Sequence, residues 1–295
     1  MNRLRFLDCS SQDVLPGSPA ILGCPLDLTC TYRSGTAGGP HAIRAASDSI
    51  ETYSPLLDRD LSDHHIADLG DIAFPGGTLE DALDRIEADV SDIARQGGLP
   101  LCLGGEHTIT LPIVKALRTF SSDFVLVHLD AHSDLRTSYE GRAVNHATVI
   151  RRTVDLIGPD RLIQMGIRAG TREEFSWMRR HATMMNWVPG DEEVLLRRIG
   201  RLPVYVSLDL DVLDPACFSA TGNPEAGGWS YRDMERFFRT LESVTLLGAD
   251  VVELNPGLDP TAAGAITAAK IVRELLLVLC RQGHYSRQGA PFGRS

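Results

Sequence analysis

The sequence lacks a Cys-x-x-Cys pair, an internal repeat, a low-complexity tract and a linker rich in proline, glycine and serine. Its six cysteines are scattered, so unpaired thiols in a reducing cytoplasm are the simplest expectation. Residues 1–13 hold no apolar run long enough for a signal peptide. The most apolar C-terminal stretch, residues 275–280, is too short to span a bilayer. We therefore expect a single domain over residues 1–295, with no membrane as a partner.

Basic side chains are also in the minority. The chain has 29 Lys and Arg against 39 Asp and Glu, which gives a net charge of −10. A surface this acidic argues against nucleic acid or an anionic membrane as the main partner, and mildly favours a cationic substrate. A hydrophobic fraction of 43% and a charged fraction of 23% are ordinary for a folded globular protein, which excludes a disordered chain.

Short apolar runs, each followed by glycine or a polar cluster, recur along the chain. They span residues 20–24, 66–69, 99–103, 124–129, 162–167, 203–208 and 246–254. Their continuous apolar character is typical of strands buried on both faces of a parallel sheet. Helical spacing of apolar residues is found over 79–94, 108–117, 230–241 and 266–279, with Ser230 as a helix N-cap. The alternation predicts an α/β fold, with helices on both faces of a mostly parallel sheet.

Two of these predicted strands end in side chains of the kind that bind metals, spaced two residues apart. They are Asp130, His132 and Asp134 after the run at 124–129, and Asp209 and Asp211 after the run at 203–208. In an extended chain such side chains point the same way, and the carboxyl ends of parallel strands meet at one edge of the sheet. Five converging ligands therefore predict a metal site. His107 follows the run at 99–103, and its position alone is also compatible with a helix cap.

The chemistry of these side chains indicates the kind of metal. Like charges this close repel one another unless a cation neutralises them. Carboxylates and imidazoles without a thiolate are poor ligands for structural zinc or an iron–sulfur cluster. Four aspartates exceed what one catalytic cation usually takes from a protein, which predicts two metals. Mn²⁺ is favoured, with Mg²⁺, Co²⁺ or Ni²⁺ as alternatives. A metal pair lowers the pKa of water, so hydrolysis is the expected reaction.

Taken together, the motifs make the chain resemble the ureohydrolases, the arginase and agmatinase family, and most closely the agmatinase-like members. Three motifs are central: Gly104-Gly105-Glu106-His107, Asp130-Ala131-His132-Ser133-Asp134 and the run from Ser207 to Pro215. Supporting matches occur in the same order over roughly residues 20 to 280. They include Tyr32-Arg33-Ser34-Gly35-Thr36, Gly166-Ile167-Arg168, Thr221-Gly222-Asn223-Pro224-Glu225 and Val251-Val252-Glu253.

The resemblance implies a three-layer α/β/α sandwich of the arginase/deacetylase type and two Mn²⁺ per subunit. It places one metal on His107, Asp130, Asp134 and Asp209, and the other on His132, Asp130, Asp209 and Asp211. It further implies a hydroxide oriented by Asp134, and Glu253 as the carboxylate that binds the guanidinium group of the substrate. His146 is the implied acid/base histidine, and Asn223 stands in the loop that faces the substrate.

The expected reaction is hydrolysis of a guanidino substrate to urea and an amine. Residues 135–145 resemble the agmatinase version of that segment, so agmatine, which yields putrescine in polyamine biosynthesis, is the first choice. Guanidinobutyrate and guanidinopropionate stay open, because Arg136 or Arg142 can meet a substrate carboxylate; arginine is a further alternative. Two positions depart from the family pattern: Ala147 stands where many members have glycine, and Asn223 stands where many have threonine. Asn223 can still hydrogen-bond to the substrate.

Two readings of other kinds are also open. One is a zinc-dependent amide hydrolase on the related deacetylase fold, and the other is a metal-binding homologue without turnover. The resemblance implies a homotrimer or homohexamer. Arg33, Arg44 and Arg168 are expected to be structural or interface charges. The histidines outside the motifs, including His128, are expected to be ordinary surface or core residues.

Overall fold

A parallel sheet forms the centre of the protein in the computed structural model, which describes residues 4–9, 11–74 and 76–285. The strands of the described residues are β1 (Pro19–Cys24), β2 (Tyr53–Ser54), β3 (Arg59–Asp60), β4 (Ala67–Asp71), β5 (Leu99–Gly104), β6 (Val125–Leu129), β7 (Leu162–Met165), β8 (Met184–Met185), β9 (Val204–Asp209) and β10 (Leu246–Val252). Eight of them lie in the order β4-β1-β5-β10-β9-β6-β7-β8, and every pair is parallel. β2 and β3 form a separate antiparallel pair.

Helices occupy most of the connections between strands. They are α1 (Gly39–Ser47), α2 (Leu79–Arg95), α3 (Thr110–Arg118), α4 (Val149–Ile157), α5 (Arg172–His181), α6 (Glu192–Ile199), α7 (Tyr231–Leu241) and α8 (Ala263–Tyr285). Side chains capture the free amide groups at several helix starts. Thr78, Thr171 and Ser230 each form a capping box with the acidic residue three positions later. The Ser230 N-cap predicted from the sequence is therefore present.

The two faces of the sheet bury separate apolar clusters. One contains side chains of α1, α6, α7 and α8, and the other contains side chains of α2, α3, α4 and α5. Along β6, Val125, Val127 and Leu129 enter the first cluster, while Leu126 enters the second. This alternation is what a strand buried on both faces requires. The predicted three-layer α/β/α sandwich is confirmed.

The seven predicted strands are all present, with ends shifted by up to two residues. The run at 246–254 stops early, at Val252, because Glu253 has a left-handed backbone (φ +66°) that no strand continues. Sequence periodicity missed the two-residue strands β2, β3 and β8 and the helices α1, α4, α5 and α6. Among the described residues, no helix has both the length and the apolar character that crossing a membrane requires.

Candidate metal centre and active-site cavity

The metal-type side chains come from loops at the carboxyl ends of three strands. His107 begins a short 3-10 turn after β5, Asp130 directly follows β6, and Asp209 is the last residue of β9. In the sheet, β5, β10, β9 and β6 are consecutive neighbours, so their ends lie side by side. Gly105 allows the β5 loop to approach its neighbour closely. A Cβ there would lie only 2.0 Å from the carbonyl oxygen of Leu26.

One half of the cluster is centred on His107. Its Nδ1 lies 3.1 Å from Asp130 Oδ2 and 3.3 Å from both Asp134 Oδ2 and Asp209 Oδ2. This nitrogen is buried and makes no hydrogen bond within the described part of the chain. A buried nitrogen that faces three carboxylate oxygens without a hydrogen bond is the donor set of a cation site rather than a hydrogen-bond network.

The other half is centred on His132. Its Nδ1 lies 2.8 Å from Asp211 Oδ2 and 3.5 Å from Asp130 Oδ1. The two carboxylate oxygens of Asp130 therefore face the two halves of the cluster, as a bridging ligand requires. Two groups of side chains lie close enough together to hold a metal, and both contain Asp130. One is His107, His128, Asp130 and Asp134, and the other is Asp130, His132 and Asp211. The residues present thus fit a pair of divalent cations.

Burial raises the pKa of several carboxyl groups in this cluster. It raises the pKa of Asp134 to about 7, with the Asp130 charge acting in the same direction. It also raises the pKa of Glu253 to about 8. Burial and the charge of Asp211 together hold the pKa of Asp209 well above its ordinary value. These carboxyl groups prefer to be protonated in the metal-free protein, so a bound cation must displace protons.

A chain of buried hydrogen bonds fixes the ring of His107 from behind. His107 Nε2 lies 2.9 Å from Ser207 Oγ, which donates to Asp250 Oδ1 at 2.9 Å. Thr110 and Tyr205 donate to the second oxygen of Asp250, at 3.0 and 2.6 Å. The arrangement turns Nδ1 of His107 towards the carboxylates. Partners of this kind fix the orientation and the tautomer of a metal-binding histidine.

His128, expected to be ordinary, supports the cluster directly, so that expectation is wrong. It is fully buried, and its Nε2 lies 2.9 Å from Asp130 Oδ2. Its Nδ1 accepts from the amide nitrogen of Gln164 at 3.2 Å, so Nε2 carries the hydrogen that Asp130 accepts. The sequence did hold a signal for this contact. His128 lies in β6, and Asp130 follows two residues later at the end of that strand, so an extended chain turns both side chains to the same face.

Two of the predicted site residues have a strained backbone. Asp134 and Glu253 adopt left-handed conformations, with φ of +52° and +66°. Ser133 Oγ and the amide of Leu135, on either side of Asp134, both donate to Glu174. Such strain persists only where the surroundings hold it, and it gathers at functional sites.

A cavity of about 300 Å³ opens onto the cluster. The predicted site residues that line it are His107, His132, Asp134, Asp209, Asp211, His146, Asn223 and Glu253, while Asp130 lies fully buried behind them. Glu253 Oε1 accepts from the backbone amide of His107 at 2.8 Å, which ties the β10 loop to the β5 loop. Burial lowers the pKa of His146, which favours a neutral imidazole near neutral pH. The structure thus brings all nine predicted site residues to one place.

The three arginines expected to be structural make contacts of that kind. Arg44 is buried and pairs with Asp68 at 2.9 Å. Arg33 donates to the carbonyl of Gly222, and Arg168 donates to the carbonyls of Asp211 and Glu225. Arg33 and Arg168 therefore hold the loops that carry Asn223 and Asp211.

Comparison with known proteins decides the family. The model of the arginase family matches residues 18–278. The chain belongs to the arginase family. Its relatives in that family include an agmatinase of Bacillus subtilis, 42% identical over 262 residues that cover 87% of this chain and 90% of that protein. A guanidinobutyrase of Pseudomonas aeruginosa is 37% identical over 88% of this chain and 86% of that protein.

A solved structure of an arginase-family member agrees in fold. The agmatine ureohydrolase of Thermoplasma volcanium superposes with a TM-score of 0.83 and 32% identity, covering 97% of each chain. The resemblance drawn from the motifs, and the enzyme class of an agmatinase-type ureohydrolase, are therefore confirmed. Metal dependence is a property of the arginase family, and the buried cluster of histidines and aspartates agrees with it.

The raised pKa values of Asp134 and Glu253 predict how stability varies with pH in protein stripped of metal by a chelator. Both groups bind their proton more tightly in the folded chain than in the unfolded chain. Folding stability should therefore fall as pH rises from about 5 to about 8, lowering Tm by about 5 °C or more. Thermal unfolding by calorimetry at both values measures the change.

The control for this effect is Glu253→Gln, which removes one of the two titrations and should flatten the upper part of the fall. Added Mn²⁺ should raise Tm more at pH 8 than at pH 5, because the cation competes with fewer protons there. A Tm that is constant or rises between the two pH values in metal-free protein contradicts the burial-driven pKa shifts.

Proposed function

We propose that this protein uses two divalent cations, Mn²⁺ in the first place, to hydrolyse a guanidino substrate to urea and an amine. Agmatine, which gives putrescine, is the proposed substrate. The observation that carries the proposal is the double cluster of ligands around Asp130, opening onto a cavity that Glu253 and His146 also line. The agmatinase relative at 42% identity supports the choice of agmatine.

The proposed ligands fall into two sets that share Asp130 and Asp209. The first set adds His107 and Asp134, and the second adds His132 and Asp211. The distances around His107 support Asp130, Asp134 and Asp209 in the first set, and those around His132 support Asp130 and Asp211 in the second. The place of Asp209 in the second set rests on the family resemblance. When bound, the metal pair supplies the Lewis acidity that lowers the pKa of water and provides a nucleophile at neutral pH.

The chain's own residues have separate tasks around the substrate. The guanidinium carbon is a poor electrophile because resonance stabilises it, so the group must be held by charge as the tetrahedral centre forms. Glu253 lines the cavity with one carboxylate oxygen fixed by the His107 amide, which suits it to that pairing. Asp134 orients the attacking water, His146 gives a proton to the leaving amine, and Asn223 hydrogen-bonds the substrate.

One observation favours a second candidate, a substrate with a carboxylate tail such as guanidinobutyrate. Arg136 lines the cavity, with its guanidinium 4.6 Å above the centre of the Tyr139 ring. Arg142, the other arginine considered for this role, instead donates to the carbonyl of Leu28. The guanidinobutyrase relative at 37% identity supports the same alternative. An opposing observation is that Glu225 also lines the cavity, since its negative charge favours a substrate such as agmatine, whose tail is cationic.

Urea release from Mn²⁺-loaded protein tests the proposed function. The panel compares agmatine, guanidinobutyrate, guanidinopropionate and arginine at equal concentrations. We expect the highest kcat/KM on agmatine; Arg136→Gln should then leave agmatine turnover intact and reduce any turnover of guanidinobutyrate. If no compound releases urea although two metals are bound, the protein is a metal-binding homologue without turnover and the proposed activity is wrong.

Substitution of single aspartates tests which ligand bridges. Asp130→Asn should lose both metal ions, because both halves of the cluster contain Asp130. Asp211→Asn should lose mainly one ion, since Asp211 lies beside His132 alone. Metal content per subunit, measured by mass spectrometry of the dialysed protein, separates the two results. Asp84→Asn, on the exposed face of α2, is the matched control. Equal losses from Asp130→Asn and Asp211→Asn would contradict the bridging role.

Two further substitutions separate chemistry from substrate binding. His146→Asn should reduce kcat by about 10²- to 10⁴-fold, the range for a lost general acid or base, with metal content near normal. Glu253→Gln should raise KM and lower kcat/KM for the guanidino substrate with both metals retained. Large metal loss in His146→Asn, or unchanged kinetics in Glu253→Gln, would show that the residue is misassigned.

The proposal includes a cytoplasmic location and assembly into a homo-oligomer. All six cysteines are free, which agrees with a reducing, cytoplasmic environment. The homotrimer or homohexamer rests on the family resemblance alone. Light scattering after size-exclusion chromatography measures the assembly directly.

A further inference from the structure

A buried threonine holds the imidazole of His146. Thr29, in the loop that follows β1, is 4% exposed, and its hydroxyl oxygen lies 3.2 Å from His146 Nδ1. The same oxygen accepts from the backbone amide of His146, also at 3.2 Å. Thr29 therefore contacts both the main chain and the ring of the histidine, which fixes the ring relative to the loop.

The hydrogen of the Thr29 hydroxyl has one good acceptor. Glu106 is 1% exposed, and its Oε1 lies 2.8 Å from Thr29 Oγ1. Its other oxygen accepts from the backbone amides of Leu28 and Thr29, at 2.7 and 2.6 Å. A carboxylate accepts hydrogen bonds and donates none, so the single hydroxyl hydrogen of Thr29 points to Glu106.

This direction determines which nitrogen of His146 carries a hydrogen. A hydroxyl has one hydrogen and two acceptor positions. With the hydrogen given to Glu106, Thr29 Oγ1 acts as an acceptor towards its other contacts, which are the backbone N–H and Nδ1 of His146, both at 3.2 Å, and the Thr108 hydroxyl at 3.3 Å. A hydrogen bond between Oγ1 and Nδ1 then requires the hydrogen to be on Nδ1. Nε2 is then the nitrogen able to take up a proton, on a ring that lines the cavity.

We propose that Glu106 and Thr29 are positioning residues that hold His146 in the Nδ1–H tautomer, so that Nε2 alone exchanges protons in the cavity. The inference deepens the proposed function, on which the acid/base role of His146 rests. Nε2 of the neutral ring takes a proton from the attacking water, and the same nitrogen then gives that proton to the leaving amine. The Nδ1–H bond to Thr29 stays intact throughout, so the ring returns to its starting state.

The position of Glu106 also connects the two parts of the site. Glu106 directly precedes His107, so one turn after β5 presents a carboxylate to the acid/base histidine and an imidazole to the metal cluster. Thr108 follows in the same turn, with its hydroxyl oxygen 3.3 Å from that of Thr29. At the start of the turn that contains His146, Thr148 Oγ1 accepts from the backbone amide of Asn145 and Thr29 Oγ1 accepts from that of His146, so Thr29 ties this turn as well as the ring to the loop after β1.

The test compares Thr29→Val, which keeps the shape and removes the hydroxyl, with Thr29→Ser, which keeps the hydroxyl. In Thr29→Val, kcat should fall by about tenfold or more, because the loss of tautomer control weakens general acid–base catalysis. KM should change by less than about threefold, because by the proposal Thr29 does not touch the substrate. Two metals should remain bound, because Thr29 does not contact the proposed metal ligands. Thr29→Ser should restore kcat to within about threefold.

Thr153→Val is the matched control. Thr153 is buried, and its hydroxyl donates only to the carbonyl of Val149 within α4. The control should leave kcat unchanged while it reports any general cost of replacing a buried threonine by valine. The proposal is overturned if Thr29→Val stays within about threefold of the unaltered kcat, or if Thr29→Ser is as slow as Thr29→Val.

A second readout does not depend on turnover. ¹⁵N spectra of histidine-labelled, chelator-treated protein distinguish the two neutral tautomers by the nitrogen shifts, and His146→Asn identifies the signals. We expect the Nδ1–H form of His146 in the unaltered chain and a mixture in Thr29→Val. An Nε2–H form in the unaltered chain overturns the positioning role. If no guanidino compound yields urea, the proposed function fails, and the spectra still decide the tautomer.

Discussion

Four buried carboxylates meet at the carboxyl edge of the sheet, and their mutual repulsion is the constraint on which the site depends. Asp130, Asp134, Asp209 and Asp211 are each no more than 9% exposed. Burial, and after it the charges of the neighbouring aspartates, raise the pKa of Asp134 and Asp209, so that protonation reduces the repulsion in the metal-free protein. The same carboxylates are the proposed ligands of the two cations. Crowding these carboxylates lowers the folding stability of the metal-free protein. The same crowding favours the binding of divalent cations.

The fold supplies what this cluster needs. Adjacent parallel strands end at one edge, so short loops bring ligands from distant parts of the sequence together without long side chains. The supporting contacts are buried hydrogen bonds: Asp250 and Ser207 behind His107, His128 and Gln164 behind Asp130, and Glu174 around Asp134. These contacts fix the orientation of each ligand before a cation arrives. Preorganisation of this kind reduces the rearrangement that binding requires.

Part of this arrangement could be predicted from sequence, and the reason is local periodicity. Alternation along an extended chain placed Asp130, His132 and Asp134 together, and continuous apolar runs located the strands of the main sheet except β8. The pairing of ligands across strands, and the place of His107, came from the family resemblance. The apolar periodicity did not predict the helices α1, α4, α5 and α6. The helices α4 to α6 are only 8 to 10 residues long, so packing against the rest of the fold stabilises them and the sequence shows no long apolar stripe.

Other features had no local signal at all. Thr29 meets Glu106 across 77 positions and His146 across 117, and such contacts depend on the completed fold. His128 is different, since its spacing from Asp130 already indicated a shared face. The resemblance pointed to the residues proposed to touch metal or substrate, while most of the residues that hold them in place became visible only in three dimensions.

The central claim is that this cluster binds two divalent cations that share Asp130. Crystals grown with Mn²⁺ and measured at the manganese absorption edge test it directly. We expect two anomalous peaks per subunit, one beside His107 and one beside His132, each within bonding distance of a different oxygen of Asp130. A single peak, or peaks away from Asp130, would contradict it.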